Sequence, residues 1–254
     1  RGLPSLHISS AHYAIRTTII GTYLMQRLSK TLSMLAFALV FMAGTAFAQN
    51  NSSTIDQDGN GHAATVAQTG ADNTSEITQY VERSNDGNDA IIEQVGSGNK
   101  SSLSQSNYGG SGHETNIFQG GDDNTADVVS QQGGTGTNMI DLDQLGMDND
   151  ATIVQLWGQN KATVLQDGNG NEVNLQHRGS YQSSATVKQD GRGNFAEILD
   201  GGQTGQNPNT GSFAKVLQGG NLNSATLTQL GDGNTHTLSQ MGNNNSATVT
   251  QSGN

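Results

Sequence analysis

The last 32 residues of the chain read NSATLTQLGDG, NTHTLSQMGNN, NSATVTQSGN, one phrase written three times. The unit is Asn-x-Ala-x-(Val/Ile/Leu)-x-Gln-x-Gly-x-x, eleven residues long. Anchored on its glutamine, it recurs seventeen times, at positions 57, 68, 79, 94, 105, 119, 131, 144, 155, 166, 177, 189, 200, 218, 229, 240 and 251. Ten of the sixteen intervals are eleven residues, and the longer ones read as insertions, the largest from Gly201 to Gly211. Such a unit is too short to bury a face alone, so it must stack on its own copies.

The unit has the period of a β-strand. Asn, Ala, the aliphatic residue and Gln alternate with other residues, so they share one face, and the intervening positions, often Thr or Ser, share the other. Val, Ile and Thr favour strands, and the glycine-containing segment after each Gln permits a tight reversal. Two such strands folded face to face, with further pairs stacked above, give an all-β β-solenoid of strand-turn-strand repeats. It has two strands per turn and becomes cross-β on assembly. Inward amides are tolerated only if hydrogen-bonded. Identical amides stacked about 4.8 Å apart bond up and down a ladder. The residues assigned to this ladder are Gln57, Gln68, Gln79, Gln94, Gln105, Gln119, Gln131, Gln144, Gln155, Gln166, Gln189, Gln218, Gln229, Gln240 and Gln251. With them go Asn73, Asn99, Asn149, Asn160, Asn171, Asn194, Asn223, Asn234 and Asn245. The two anchors that are not glutamine, His177 and Asp200, become column neighbours if units alternate between two sheets. An imidazolium–carboxylate pair there would replace the lost amide bonds.

Composition agrees with a thin interior. Only 32% of residues are hydrophobic and 13% charged, with 34 glycines, two prolines and no cysteine. Disorder of similar hydrophobicity usually brings more charge and proline. From Met25 the chain reads as an export signal. Arg27 and Lys30 precede an apolar run from Leu32 to Ala43, and Ala46-Phe47-Ala48 marks cleavage between Ala48 and Gln49. The run is too short for an integral membrane span. Residues 1–24 precede the first Met and read as upstream sequence or a mis-set start, 25–48 as the signal peptide, and 49–254 as the repeat region. Arg1, Arg16, Arg27 and Lys30 leave with the leader, so seven of 11 basic residues remain against 22 acidic, a formal charge of −15. That acidity argues against nucleic acid as a partner.

The repeat resembles that of the curlins, the secreted subunits of bacterial curli. Gln229-x-Gly231-x2-Asn234 and Gln240-x-Gly242-x2-Asn245-x-Ala247-x3-Gln251 carry the resemblance, which spans nearly all of 51–254. The family's serine at the start of a repeat is usually Asn here, and the repeat count is higher. The resemblance implies a subunit that polymerises with itself into extracellular amyloid fibres of a biofilm matrix. It implies as further partners a nucleator subunit, an outer-membrane secretion pore and periplasmic chaperones of a Gram-negative bacterium. The neutral terminal repeats and the acidic whole resemble the major subunit more than the minor nucleator. A final unit, SATVTQSGN, without charge reads as an end on which the next copy stacks.

No catalytic constellation, cofactor or metal site is read from the chain. His62, His113, His177 and His236 lack the spacing of a metal pair. Asp58, Asp72, Asp122, Asp123, Asp148, Asp167, Asp190 and Asp232 lie near the turns, where repulsion slows premature aggregation. The calcium-binding nine-residue period is missing. The alternatives are the nucleator, a monomeric β-solenoid that binds ice or polysaccharide through outward Thr, and an exported enzyme on a parallel β-helix. Outward Thr pairs occur only sporadically, and clustered carboxylates with a larger aromatic core are missing.

Overall fold

The computed structural model describes residues 50–82, 86–109, 111–132, 136–178, 180–201 and 209–253. The leader and the cleavage point at Ala48 and Gln49 lie outside these residues. The period-two units form strands that alternate between two parallel sheets. One sheet has nine strands: Ser52–Asp58, Thr74–Val81, Lys100–Asn107, Thr125–Gln132, Asp150–Leu156, Glu172–His177, Phe195–Asp200, Ser224–Leu230 and Ser246–Ser252. The other has eight: Ala63–Ala71, Asp89–Ser97, Glu114–Asp122, Met139–Met147, Lys161–Asn169, Ser184–Arg192, Phe213–Asn221 and Thr235–Met241. Two further two-residue strands, Ser180–Tyr181 and Asn209–Thr210, pair in a crossing segment. The architecture is the β-solenoid with two parallel strands per turn that the repeat dictates. Among the described residues no helix is long and apolar enough to cross a membrane.

Register follows the unit. Ile55 pairs with Ile77, Gln57 with Gln79, Val164 with Val187 and Gln166 with Gln189. One slip would turn every buried side chain outward, so the alternation fixes the pairing. The aliphatic position fills a dry column between the sheets, from Ile77 and Ile92 to Ile198, Val216 and Leu227, all at 0% exposure. Each such side chain contributes about 2 kcal/mol on burial. Alanine four residues before the anchor, as at Ala151, Ala162 and Ala185, packs beside it.

The two edges of the solenoid differ. Crossing from the eight-stranded to the nine-stranded sheet always takes eleven residues between inward anchors, from 68 to 79 through 240 to 251, once Ser130, which pairs with Gln105, stands for Gln131. The return crossings take between 11 and 18, so every insertion lies on one edge. The uniform edge is a repeated Gly-x-x-Asn turn. Its glycine has φ between +99° and +124° in all eight turns, as at Gly70, Gly168 and Gly242. A Cβ on Gly168 would run into the carbonyl of Gly191 one layer on, and the clash recurs down the column. Two residues later the backbone is left-handed, at Asp72, Gly98, Asp123, Asp148, Gly170, Gly193, Leu222 and Asn244. Gly, Asp and Asn tolerate that conformation. Three of the turn aspartates therefore have a backbone role. Leu222, with φ +55°, is the exception and is exposed.

Gly168→Ala is therefore expected to destabilise the solenoid by about 3 kcal/mol, because strain and backbone overlap add. Leu222→Asn should stabilise it by about 1 kcal/mol. Chemical denaturation followed by far-UV circular dichroism measures both, and the opposite signs are the test.

Candidate functional site

Four buried columns of polar side chains run the length of the described strands. The eight-stranded sheet carries an unbroken glutamine column. Gln68 Nε2 donates to Gln94 Oε1 at 2.8 Å, Gln94 to Gln119 at 2.7 Å and Gln119 to Gln144 at 2.8 Å. Gln144 donates to Gln166 at 2.9 Å, Gln166 to Gln189 at 3.1 Å, Gln189 to Gln218 at 2.9 Å and Gln218 to Gln240 at 2.9 Å. The same amide nitrogen also donates across the interior to a main-chain carbonyl of the opposite sheet. Gln144 reaches Thr125 at 2.8 Å and Gln166 reaches Asp150 at 2.9 Å. Each amide thus holds its own sheet in register and ties the two sheets together.

The nine-stranded sheet begins each strand with an equally regular asparagine column: Asn51, Asn73, Asn99, Asn124, Asn149, Asn171, Asn194, Asn223 and Asn245. Asn149 Nδ2 donates to Asn124 Oδ1 at 3.1 Å and to the Gly168 carbonyl at 2.9 Å, while its backbone N–H donates to Asn124 Oδ1 at 3.1 Å. The glycine column is thus part of the ladder, since its carbonyls accept from the asparagines and its missing Cβ allows the approach.

The remaining two columns, on the variable edge, are irregular. Gln57 donates to Gln79 at 2.7 Å and Gln79 to Gln105 at 2.8 Å. The next position is Ser130 rather than Gln131, because Gln105 pairs with Ser130, which is buried, while Gln131 is exposed. The expectation for Gln131 is thus corrected by one residue. Asn124, Ala126, Val128 and Ser130 hold the unit's four inward positions, so burying Gln131 would expose Asn124 and Ala126. Below Ser130 come Gln155, His177, Asp200, Gln229 and Gln251. The column of strand starts contains Asn160 and Asn234, mixed with His62, Asn88, His113, Asn138, Ser183 and Ser212. His113 lies between Asn88 and Asn138 there. Its backbone N–H donates to Asn88 Oδ1 at 3.0 Å and its Nε2 to the Ser106 carbonyl at 3.1 Å.

His177 and Asp200 are adjacent in register, with Nε2 3.8 Å from the carboxylate Oδ2 and both side chains at 0% exposure. Gln155 Nε2 donates to His177 Nδ1 at 3.4 Å, which leaves the ring proton on Nε2, facing Asp200. Burial pushes the His177 pKa down to about 4, so a neutral ring meets the carboxyl group near neutral pH. Burial likewise lowers His113 to about 4, against the opposing effect of the Ser106 hydrogen bond. Among the described residues no group of three His, Cys, Asp or Glu side chains is placed to hold a metal ion.

Asn51, Asn88 and Asn138, six residues before Gln57, Gln94 and Gln144, also belong to the columns, as does Asn124, which the anchor at Gln131 misses and Ser130 restores. Their signal is the asparagine six residues before each inward anchor. Gln144→Leu removes a link bonded to Gln119, Gln166, Thr125 and Asn149. It is expected to cost about 3 kcal/mol, because carbonyls and amides stay buried without it. Gln131→Leu, one strand away and outward, should change stability by less than about 0.5 kcal/mol. Denaturation midpoints of the two variants check the register directly.

Among curated proteins and among solved structures nothing matches the chain significantly. A family model described as the curlin associated repeat matches residues 48–80, 146–176 and 210–242. Each matched stretch takes in three successive strands of the solenoid, including Asp150–Leu156, Lys161–Asn169 and the start of Glu172–His177 in the second. The amide columns and their parallel register are thus the three-dimensional form of the curlin associated repeat in this chain, which carries that repeat in three separate stretches.

Proposed function

We propose that the chain is a secreted structural subunit, most like the major one, that self-assembles by strand addition into extracellular amyloid fibres of a biofilm matrix. The observation that carries this reading is the state of the outermost strands. Among the described residues, Ser52–Asp58 and Ala63–Ala71 at one end, and Thr235–Met241 and Ser246–Ser252 at the other, each pair with one strand only. They keep the register and residue pattern of the internal strands. Ile55 is 44% exposed where its column neighbour Ile77 is fully buried, so an arriving copy would bury the same surface that each internal layer buries. A fibre end offers backbone groups, amides and an apolar stripe, and an incoming chain folds onto them.

The outward faces support a soluble phase before assembly. Burial and the neighbouring Asp141 raise the pKa of Asp143, and burial and Asp127 raise that of Asp150. Such crowded carboxylates repel other copies on the flat faces while leaving the strand edges open. The signal at 25–48, a nucleator subunit, an outer-membrane pore and periplasmic chaperones complete the proposed route to the cell surface. The family's structural role, and an interior filled by packed columns, support a non-enzymatic function.

Transfer of the chain out of denaturant should give unbranched fibres that seed fresh monomer and diffract near about 4.7 and about 10 Å when aligned. A chain that stays folded, soluble and monomeric would overturn the reading and turn attention to ligands of the outward Thr residues.

A further inference from the structure

We infer that successive copies in the fibre are related by a half turn about its axis, so that each sheet of one copy is continued by the other sheet of the next. The inference rests on the self-assembly proposed above and concerns how a second copy meets the exposed ends. It follows from parity. Strands alternate between the sheets, and among the described residues the first and the last both belong to the nine-stranded sheet. The upper end is therefore a step, with Ser246–Ser252 half a layer beyond Thr235–Met241.

Stacking without rotation would place Ser52–Asp58 of the next copy on Ser246–Ser252. In the other sheet it would then separate Thr235–Met241 from Ala63–Ala71 by an unfilled strand width. Two strand edges, the Gln240 and Gln68 amides and the Leu238 side chain would face that slot. Unpaired backbone and amide groups in an otherwise dry stack are costly. A half turn removes the slot, because Ser52–Asp58 then continues Thr235–Met241, and Ala63–Ala71 continues Ser246–Ser252.

The side chains fit this second arrangement. Gln240 meets Gln57, Leu238 meets Ile55 and Asn234 meets Asn51 of the next copy. Gln251 meets Gln68, Val249 meets Val66 and Ala247 meets Ala64. The one unlike pair in the amide columns sets Asn245 against His62, and the solenoid already contains that step, with the His113 N–H on Asn88 Oδ1 at 3.0 Å. The glutamine ladder also has a sense. Nε2 always points toward the C-terminal strands, as from Gln57 to Gln79 and from Gln218 to Gln240, so the end of one copy donates to the start of the next. At such a junction, the chain leaving Ser246–Ser252 and the chain entering Ser52–Asp58 meet on one edge, as in an ordinary crossing. The seventeen described strands of the two main sheets then add seventeen half-layers, about 41 Å of rise. The uniform edge of one copy lies above the variable edge of its neighbour, and the fibre repeats every two copies.

Cysteine pairs on outward positions read the arrangement, since the native chain has no cysteine. The exposed residues one before the anchor are Asp56 and Ala67 at the start and Ser239 and Thr250 at the end. Paired residues on adjacent parallel strands lie about 4.8 Å apart, within the range of a disulfide. Fibres of the full chain with Thr250→Cys and Ala67→Cys, oxidised after assembly, are expected to shift from monomer to a ladder of covalent multimers on non-reducing gels. Fibres with Ser239→Cys and Asp56→Cys should do the same, and fibres with Thr250→Cys and Asp56→Cys should stay monomeric. Cross-linking only of the Thr250–Asp56 pair would establish unrotated stacking and overturn the inference. Fibres in which no pair cross-links would also overturn it, by showing a different strand between the copies. If the cysteine-free chain forms no fibres, the self-assembly reading fails and the inference falls with it.

Discussion

A primary amide buried in a protein must place both of its protons and its oxygen, and the structure follows from that requirement. In the glutamine column of the eight-stranded sheet, one proton goes to the next glutamine and the other to a carbonyl of the facing sheet. Both partners exist only if strands lie one parallel spacing apart and the sheets keep a fixed offset. The aliphatic column supplies most of the transfer energy, but it would tolerate sliding or repacking. The amides do not, and they make a single register the one arrangement without a large penalty. Glycine enters for the same reason: its carbonyl is the second acceptor of the asparagine ladder, and a Cβ would close the gap that brings it there.

Sorting the units by edge explains where the repeat is strict and where it drifts. On the uniform edge, turn length, glycine, the left-handed position, the glutamine column and the asparagine column form one hydrogen-bonded unit, so a change in any of them disturbs the rest. The other edge carries the insertions, the serine and histidine replacements and the His177–Asp200 contact. It also carries the ring contacts Tyr80–Tyr108 and Trp157–Tyr181, at 5.8 and 6.3 Å between centroids. A solenoid built this way has one edge held to a fixed length and sequence by its hydrogen bonds and another free to vary in length and chemistry.

The fold was legible because its period is short and its inward residues are distinctive. Asn, Ala, an aliphatic residue and Gln at alternate positions leave one face to bury, and Ile77, Val187 and Leu227 lie there. Reading the units as alternating between sheets also sufficed to bring His177 beside Asp200. The misplacement at Gln131 had a local cause. SQQ presents three polar residues in a row, and a glutamine outweighs a serine if the anchor alone is weighed. Asn124 and Ala126, six and four residues before Ser130, hold the correct phase, and the eleven-residue spacing from Gln119 agrees. The positive φ at Leu222 and the neutral state of His177 depend on backbone shape and depth of burial, which a linear pattern does not contain.

Side-chain amide hydrogen exchange, resolved by residue, tests the ladder most directly. In the folded chain the amide protons of Gln119, Gln144, Gln166 and Gln189 are predicted to exchange as slowly as the backbone N–H groups of their own strands. Exchange of these four at the rate of the exposed Gln131, with the backbone still protected, would contradict the account, since it would show a solenoid held by its backbone and apolar column without the amides.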